Sequence, residues 1–150
     1  MRQALRETVW LVLLSCAVGF TYTAATKKGL FAEKKDLPTV VPQMIDIAEA
    51  KRIFDSGEAL FLDSRHEFDF NVGHIKDAIN IPVDKFDQQR SKLAAIDQDH
   101  LIIVYCDGAD CNSSFEMGGK LFTAGYRNVR IFFSGWQDWQ SNSYPIEKEH

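Results

Sequence analysis

An α/β domain with a central, mainly parallel sheet flanked by helices is the fold this sequence predicts. Three observations carry it. Short apolar runs at residues 59–62, 101–105 and 129–133 are separated by stretches of helical periodicity, and strands that alternate with helices build parallel sheets covered on both faces. The runs are continuously apolar, as strands buried on both sides are. Two of them lead into residues with chemistry, Asp63 and Cys106. Such sheets collect function at that carboxyl edge.

Taken in order, the chain opens on an uncharged stretch. Residues 8–26, TVWLVLLSCAVGFTYTAAT, lie between Arg6-Glu7 and Lys27-Lys28. As a helix they span roughly 28 Å, against about 30 Å for a hydrocarbon core. Segment 1–26 is therefore expected to be a transmembrane or signal segment, first of all an uncleaved anchor that makes the membrane a partner. A cleaved signal peptide ending near Thr23-Ala24-Ala25 and a lipoprotein signal ending at Cys16 are the alternatives. A buried core helix fits least, because the run has no polar face. Flanking charges nearly tie under the positive-inside rule; the expectation is a domain on the exported, extracytoplasmic side. Residues 27–43, basic and carrying Gly29, Pro38 and Pro42, read as a linker. The domain is expected over 44–145, with a tail at 146–150.

Within the domain, Asp46 is placed to cap a helix running through Ile47, Ala50, Ile53 and Phe54, which Ser56-Gly57 stops. The first strand follows and ends at Asp63. The second ends at Cys106. Ser113 or Ser114 then caps a helix through Leu121, closed by Gly125, before the third strand.

Composition narrows the function classes. With 45% hydrophobic and 25% charged residues, the chain is neither disordered nor collagen-like. Residues 44–150 hold eleven Lys/Arg against eighteen Asp/Glu, a surface that repels phosphate backbones, so no nucleic-acid partner is expected. Three cysteines, Cys16, Cys106 and Cys111, do not make a disulfide framework. No metal set is visible, because the close cysteine pair lacks a matching His or Cys pair, and no cofactor is implied.

The stretch LFLDSRHEFDFNVGHIKDAINIP at 60–82 resembles the signature of the rhodanese-like domain family, through Asp63, Arg65, Glu67, Gly73, His74, Ile75, Ala78, Ile79, Asn80, Ile81 and Pro82. Val104-Tyr105-Cys106 resembles its strand ending in the catalytic cysteine. Gly125-Tyr126-x-Asn128-Val129 and Gly135-Trp136-x-x-Trp139 resemble its C-terminal part. The resemblance implies persulfide chemistry on Cys106, with 107–113 as the substrate-binding loop: Asp107, Gly108, Ala109, Asp110, Cys111, Asn112 and Ser113. It implies supporting roles for others. Asp63 and Arg65 form a hydrogen-bonded pair near the site floor, His74 is structural, and Trp136 and Trp139 are core aromatics, one of them near the pocket mouth. His66 and His100 carry no motif.

Cys106 has a physical reason to react. The loop's N–H groups can form an anion nest, and the following helix adds positive potential; both would lower its pKa. The alternative is a buried structural cysteine. The loop departs from the family's usual Cys-x-x-Gly-x-Arg-Ser: it is longer, has no Arg or Lys, and adds Asp107 and Asp110. Carboxylates beside the nucleophile oppose a thiolate and repel dianionic thiosulfate. Cys111, five positions on, is either a resolving thiol or a packing residue at the helix start.

Three functions follow. The first is a sulfurtransferase that forms a persulfide on Cys106 from a small-molecule sulfur donor and passes the sulfur to a thiol acceptor. The second is a thiol–disulfide or persulfide-sensing module using Cys106 and Cys111. The third is a non-catalytic binding domain tethered to the membrane. Phosphatase chemistry, which needs Cys-x5-Arg in relatives of this fold, meets Asn112 at the Arg position and loses the bidentate phosphate clamp.

Overall fold

The computed structural model describes residues 2–25 and 42–149. The first stretch is one helix, α1 (Arg2–Ala25). Its hydroxyls bond back to its own carbonyls, Ser15 to Val12 and Thr21 to Ala17 and Val18. Large apolar side chains from Val9 to Tyr22 are exposed. A helix stands where the charge-free run predicts one, but among the described residues no helix is long and apolar enough to cross a membrane. The transmembrane anchor is therefore unsupported by the described residues. Residues 27–41 of the expected 27–43 linker, and the cleavage-site side chains, lie outside the described residues.

The second unit is the α/β domain. It begins at β1 (Gln43–Ile45) and continues into α2 (Ile47–Ser56). The Asp46 carboxylate accepts from Glu49 N–H at 2.8 Å, an N-cap bond that satisfies a helix-end donor. Gly57 ends the helix in the left-handed region at φ 67°, where a Cβ would be strained. Then come β2 (Ala59–Asp63), α3 (Glu67–Val72), β3 (His74–Ile75) and β4 (Ile79–Asn80). A short helical stretch over residues 83–93 contains α4 (Phe86–Gln89). It is followed by β5 (Leu101–Tyr105), α5 (Ser113–Thr123), β6 (Val129–Phe132), α6 (Gly135–Ser141) and β7 (Ile146–Glu147).

Five strands form one parallel sheet in the order β1-β6-β5-β2-β4. Strand β5 lies in the middle, with Tyr105 in register with Asp63 on one side and Phe132 on the other. Alternate side chains serve two cores. Ile103, Tyr105, Phe61 and Phe132 pack with Ala50, Ile53, Trp136 and Trp139, so α2 and α6 cover that face. Ile102, Val104, Leu62 and Ile131 pack with Phe86, Leu93, Met117 and Leu121, so α4 and α5 cover the other. Trp139 is fully buried and meets Phe54, Phe61, Phe132 and Tyr144 edge-on or tilted, at centroid distances of 5.1 to 6.1 Å.

Two details differ from the sequence reading. Asn112 flanks α5, without a side-chain cap bond; Ser113 and Ser114 lie inside the first turn with their hydroxyls spent elsewhere. The chain beyond 145, expected as a tail, contributes β7, which pairs antiparallel with β3.

The start of α6 positions the site. Trp136 and Gln137 donate their N–H groups to the Cys106 and Asp107 carbonyls at 2.8 and 2.9 Å. The approach is possible because Gly135 sits at φ 60° and has no Cβ, which would fall on the Cys106 carbonyl oxygen. Gly135→Ala is expected to cost about 1–3 kcal/mol in chemical denaturation, from left-handed strain and the clash together. An unchanged midpoint would show that the helix start and the loop are not coupled in this way.

Candidate functional site

Cys106 follows the central strand directly and is fully buried. Its sulfur lies 3.2 Å from the Cys111 carbonyl oxygen, 3.8 Å from that of Gly108 and 3.4 Å from Ser114 Oγ. Carbonyl oxygens accept from S–H and repel S⁻. Burial pushes the Cys106 thiol pKa up and its hydrogen bond to Cys111 adds to the rise; the Ser114 hydroxyl and N–H pull it down without winning. The shift at Cys106 thus runs opposite to the expected lowering, because burial disfavours its charge and the neighbouring Cys111 thiol adds to the rise.

The donors point at the other sulfur. Cys111 is half-buried, and burial alone would raise its pKa. That effect is outweighed by hydrogen bonds from the Cys106 thiol, the Ser113 hydroxyl and the backbone N–H groups of Asp107 and Ser113, so the Cys111 pKa is lowered. Ser113 Oγ is 3.1 Å from Cys111 Sγ and 3.0 Å from Ser64 Oγ. Ser64 in turn reaches the Tyr105 carbonyl through both its hydroxyl and its N–H, at 2.9 and 3.0 Å. With Cys111 protonated, hydroxyl protons can run from Ser113 to Ser64 to that carbonyl. With Cys111 ionised, Ser113 can turn its proton to the sulfur, and the Ser64 N–H still satisfies the carbonyl. The anion nest exists, and Cys111 occupies it.

Beside the loop stands a buried ion pair. Arg65 bonds Asp63 at 2.7 Å through Nη2 and at 3.1 Å through Nε, and also donates to the Gly73 carbonyl at 2.8 Å. Burial works against the guanidinium charge, but the bonds to Asp63 and its charge outweigh it and raise the Arg65 pKa. Removing one partner would strand a buried charge, at about 3–5 kcal/mol. The guanidinium lies 4.9 Å from the Trp136 ring centre, a cation–π contact. Its Nη1 is 3.6 Å from Asp107, so this loop carboxylate faces a positive group instead of acting unopposed on the cysteines. Asn80 clamps the turn after β2 by donating to the Asp63 and Arg65 carbonyls at 3.1 and 3.0 Å. Tyr105, whose hydroxyl accepts from Ile75 N–H at 3.2 Å, is held well above its usual range by burial first and the Asp63 charge second.

A pocket of about 330 Å³ opens over this arrangement. Ser64, Arg65, Asp107, Cys111 and Ser113 form its inner wall; His66, Asp69, Pro82, Val83 and Asp84 form its outer wall. Cys106 lies behind Cys111 and does not line it. Of the expected loop residues, Gly108 is buried against Gln137, and Ala109, Asp110 and Asn112 are exposed. His74 is structural in form: its Nδ1 donates to the Phe70 carbonyl at 2.9 Å and its ring stacks on Phe70. Trp139 is core, while Trp136 supports Arg65 from below. Ser64, Ser114 and His66 were missed by sequence reasoning. Ser64 sits inside the signature between Asp63 and Arg65, which is the one signal that marked it. His66, without a motif, accepts from Phe68 N–H at the start of α3. Among the described residues no group of three His, Cys, Asp or Glu side chains is placed to hold a metal ion.

A strand-end cysteine, a loop curled back on it and a helix start behind that loop define a class of small α/β domains built around cysteine chemistry. Within that class the chain belongs to the rhodanese-like domain family, which matches residues 46–142. It is 33% identical over 89 residues to the tRNA uridine(34) hydroxylase of Enterobacter sp. (strain 638), covering 55% of this chain and 26% of that protein. The chain thus spans about a quarter of that relative's length. Among solved structures it resembles the BH2092 protein of Bacillus halodurans, with a TM-score of 0.64 at 22% identity over 87% of this chain and 85% of that one. It also resembles a human single-domain sulfurtransferase, with a TM-score of 0.58 at 18% identity over 65% and 95%. At these identities the two structures show a shared fold.

The donor set around Cys111 has a direct consequence. Ser113→Ala is expected to raise the Cys111 pKa. Alkylation of Cys111 near neutral pH should then slow by about fivefold to tenfold, since rate follows the thiolate fraction. The gap should close as pH rises and both proteins ionise fully. Equal rates across the pH range would show that the hydroxyl does not hold the anion.

Proposed function

We propose that this chain is a sulfurtransferase that holds sulfane sulfur as a persulfide on Cys106 and hands it to a thiol acceptor. The observation that carries the reading is the pair of thiols in the loop at the carboxyl end of the central strand, one fully buried with its pKa raised, the other lining a pocket with its pKa lowered. The sulfurtransferase named among the structural neighbours supports the same chemistry. The tRNA hydroxylase relatives do not transfer their whole activity by this reading, because the chain spans only part of them and its domain surface is acidic.

The pocket indicates the kind of donor. Asp69, Asp84 and Asp107 line it, and Arg65 is already committed to Asp63. A dianion such as thiosulfate gains little there and meets repulsion. A thiol-based persulfide carries less charge and offers a good thiolate leaving group. Cys111 attacks or resolves at the pocket, Cys106 stores sulfur behind it, and two-step covalent transfer with ping-pong kinetics follows. A second reading, a thiol–disulfide or persulfide-sensing module, rests on the same electrostatic coupling of the two thiols.

Intact mass measurement of the full chain after incubation with glutathione persulfide or thiosulfate, followed by an acceptor thiol, tests the reading. The wild type is expected to gain one sulfur, faster from the persulfide by about tenfold or more. Cys106→Ser is expected to keep the fold and to pass sulfur to the acceptor at only a small fraction of the wild-type rate, because it cannot store a persulfide at position 106. Full transfer by that variant, or a wild type that cycles only between dithiol and disulfide without gaining sulfur, would overturn it.

A further inference from the structure

We propose that Cys111 is the thiol that meets the sulfur donor and that Cys106 takes the sulfane sulfur from it, making the loop a two-sulfur relay. The proposal rests on the sulfur-transfer reading above and assigns the order of events within it.

Access comes first. Cys111 lines the 330 Å³ pocket, whereas Cys106 is fully buried. The Cys106 sulfur has the Cys111 and Gly108 carbonyls and the Ser114 hydroxyl against it. A donor in the pocket lies against Cys111. To reach Cys106 it must displace the loop.

Charge agrees with access. The groups aimed at Cys111 are donors: the Ser113 hydroxyl, two backbone N–H groups and the Cys106 thiol. Cys106 has the Cys111 and Gly108 carbonyl oxygens at 3.2 and 3.8 Å, and its Ser114 donors do not offset burial. Negative charge is therefore favoured at the sulfur of the pocket-lining cysteine over that of the buried one. This is the arrangement in which the outer sulfur attacks and the inner one waits.

The steps balance without an added oxidant. The Cys111 thiolate attacks the outer sulfur of a donor R–S–SH. A Cys111 Sγ–S bond forms, the donor S–S bond breaks, and RS⁻ leaves. The product Cys111–S–SH gives its proton to the departing RS⁻, which leaves as RSH, and the resulting persulfide anion takes the proton of the adjacent Cys106 thiol. The Cys106 thiolate then attacks the same outer sulfur. A Cys106 Sγ–S bond forms, the Cys111 Sγ–S bond breaks, and Cys111 leaves as the thiolate it was at the start. One sulfane sulfur has moved inward, and no sulfur has changed its total oxidation state. Direction follows from the two environments: thiol exchange releases the more acidic thiol as leaving group, and Cys111 is the one whose charge the loop holds.

The test uses the full chain with Cys16→Ser, so that the loop thiols alone react. The chain and its Cys106→Ser and Cys111→Ser derivatives are mixed with glutathione persulfide and quenched at successive times. Peptide fragmentation then locates the added sulfur. The relay expects Cys106→Ser to load sulfur on Cys111 at close to the parent rate. It expects Cys111→Ser to load Cys106 slower by about tenfold or more. Iodoacetamide without donor should mark Cys111 before Cys106 in the parent chain, a readout that a purely structural role for Cys111 would not produce. If the parent loads but Cys111→Ser loads Cys106 as fast, or if iodoacetamide marks Cys106 first, the relay is wrong and sulfur transfer stands. If the parent gains no sulfur from this donor, the transfer reading falls and the relay with it.

Discussion

The N–H groups of Trp136 and Gln137 rest on the carbonyls of Cys106 and Asp107, and much of the site's geometry depends on those two bonds. They turn both carbonyls toward α6. The same contact places the Trp136 ring beneath Arg65. Arg65 then binds Asp63 at the end of β2 and approaches Asp107 at the start of the loop. Sheet, helix and loop are tied by one set of polar contacts in which buried groups are satisfied, as a buried ion pair requires.

Given that frame, the loop divides its polarity. Carbonyls of Gly108 and Cys111 face the buried inner sulfur along with the Ser114 hydroxyl and N–H, whereas two amides and the Ser113 hydroxyl face the outer one. Two thiols in contact do not ionise together, since the second negative charge would meet the first. One proton on Cys106 and one charge on Cys111 is the distribution that the surrounding dipoles favour. The acidic pocket wall then selects against dianions, while leaving the small, weakly charged face of a persulfide acceptable.

The sequence was most legible where local rules act alone. The Asp46 cap, the Gly57 stop and strands β2, β5 and β6 follow from capping chemistry and continuous apolar runs. So does the position of Cys106 at a strand's end. The Asp63–Arg65 pair and the structural role of His74 were legible through their motif. What escaped depends on contacts between distant residues. Strands β3 and β7 are two residues each and carry no periodic pattern. Ser113 and Ser114 looked like caps, yet their hydroxyls serve two sulfurs. Asp107 looked like an unopposed charge, because Arg65 lies 42 positions away in the chain. Above all, how deeply the loop buries each sulfur is not written in residue types, so the raised pKa of Cys106 and the lowered pKa of Cys111 were not legible in the sequence. The N-terminal helix was legible as a helix from its charge-free run; crossing a membrane asks more of its length and apolarity than its described residues supply.

The central claim is that the loop holds one thiolate and that it belongs to Cys111. Ultraviolet titration of thiolate absorbance in the full chain, with Cys16 replaced by serine, addresses it most directly. The thiolate that appears at the lowest pH is expected to persist in Cys106→Ser, where a hydroxyl still donates to it, and to vanish in Cys111→Ser. A thiolate that vanishes in Cys106→Ser and persists unchanged in Cys111→Ser would contradict the account.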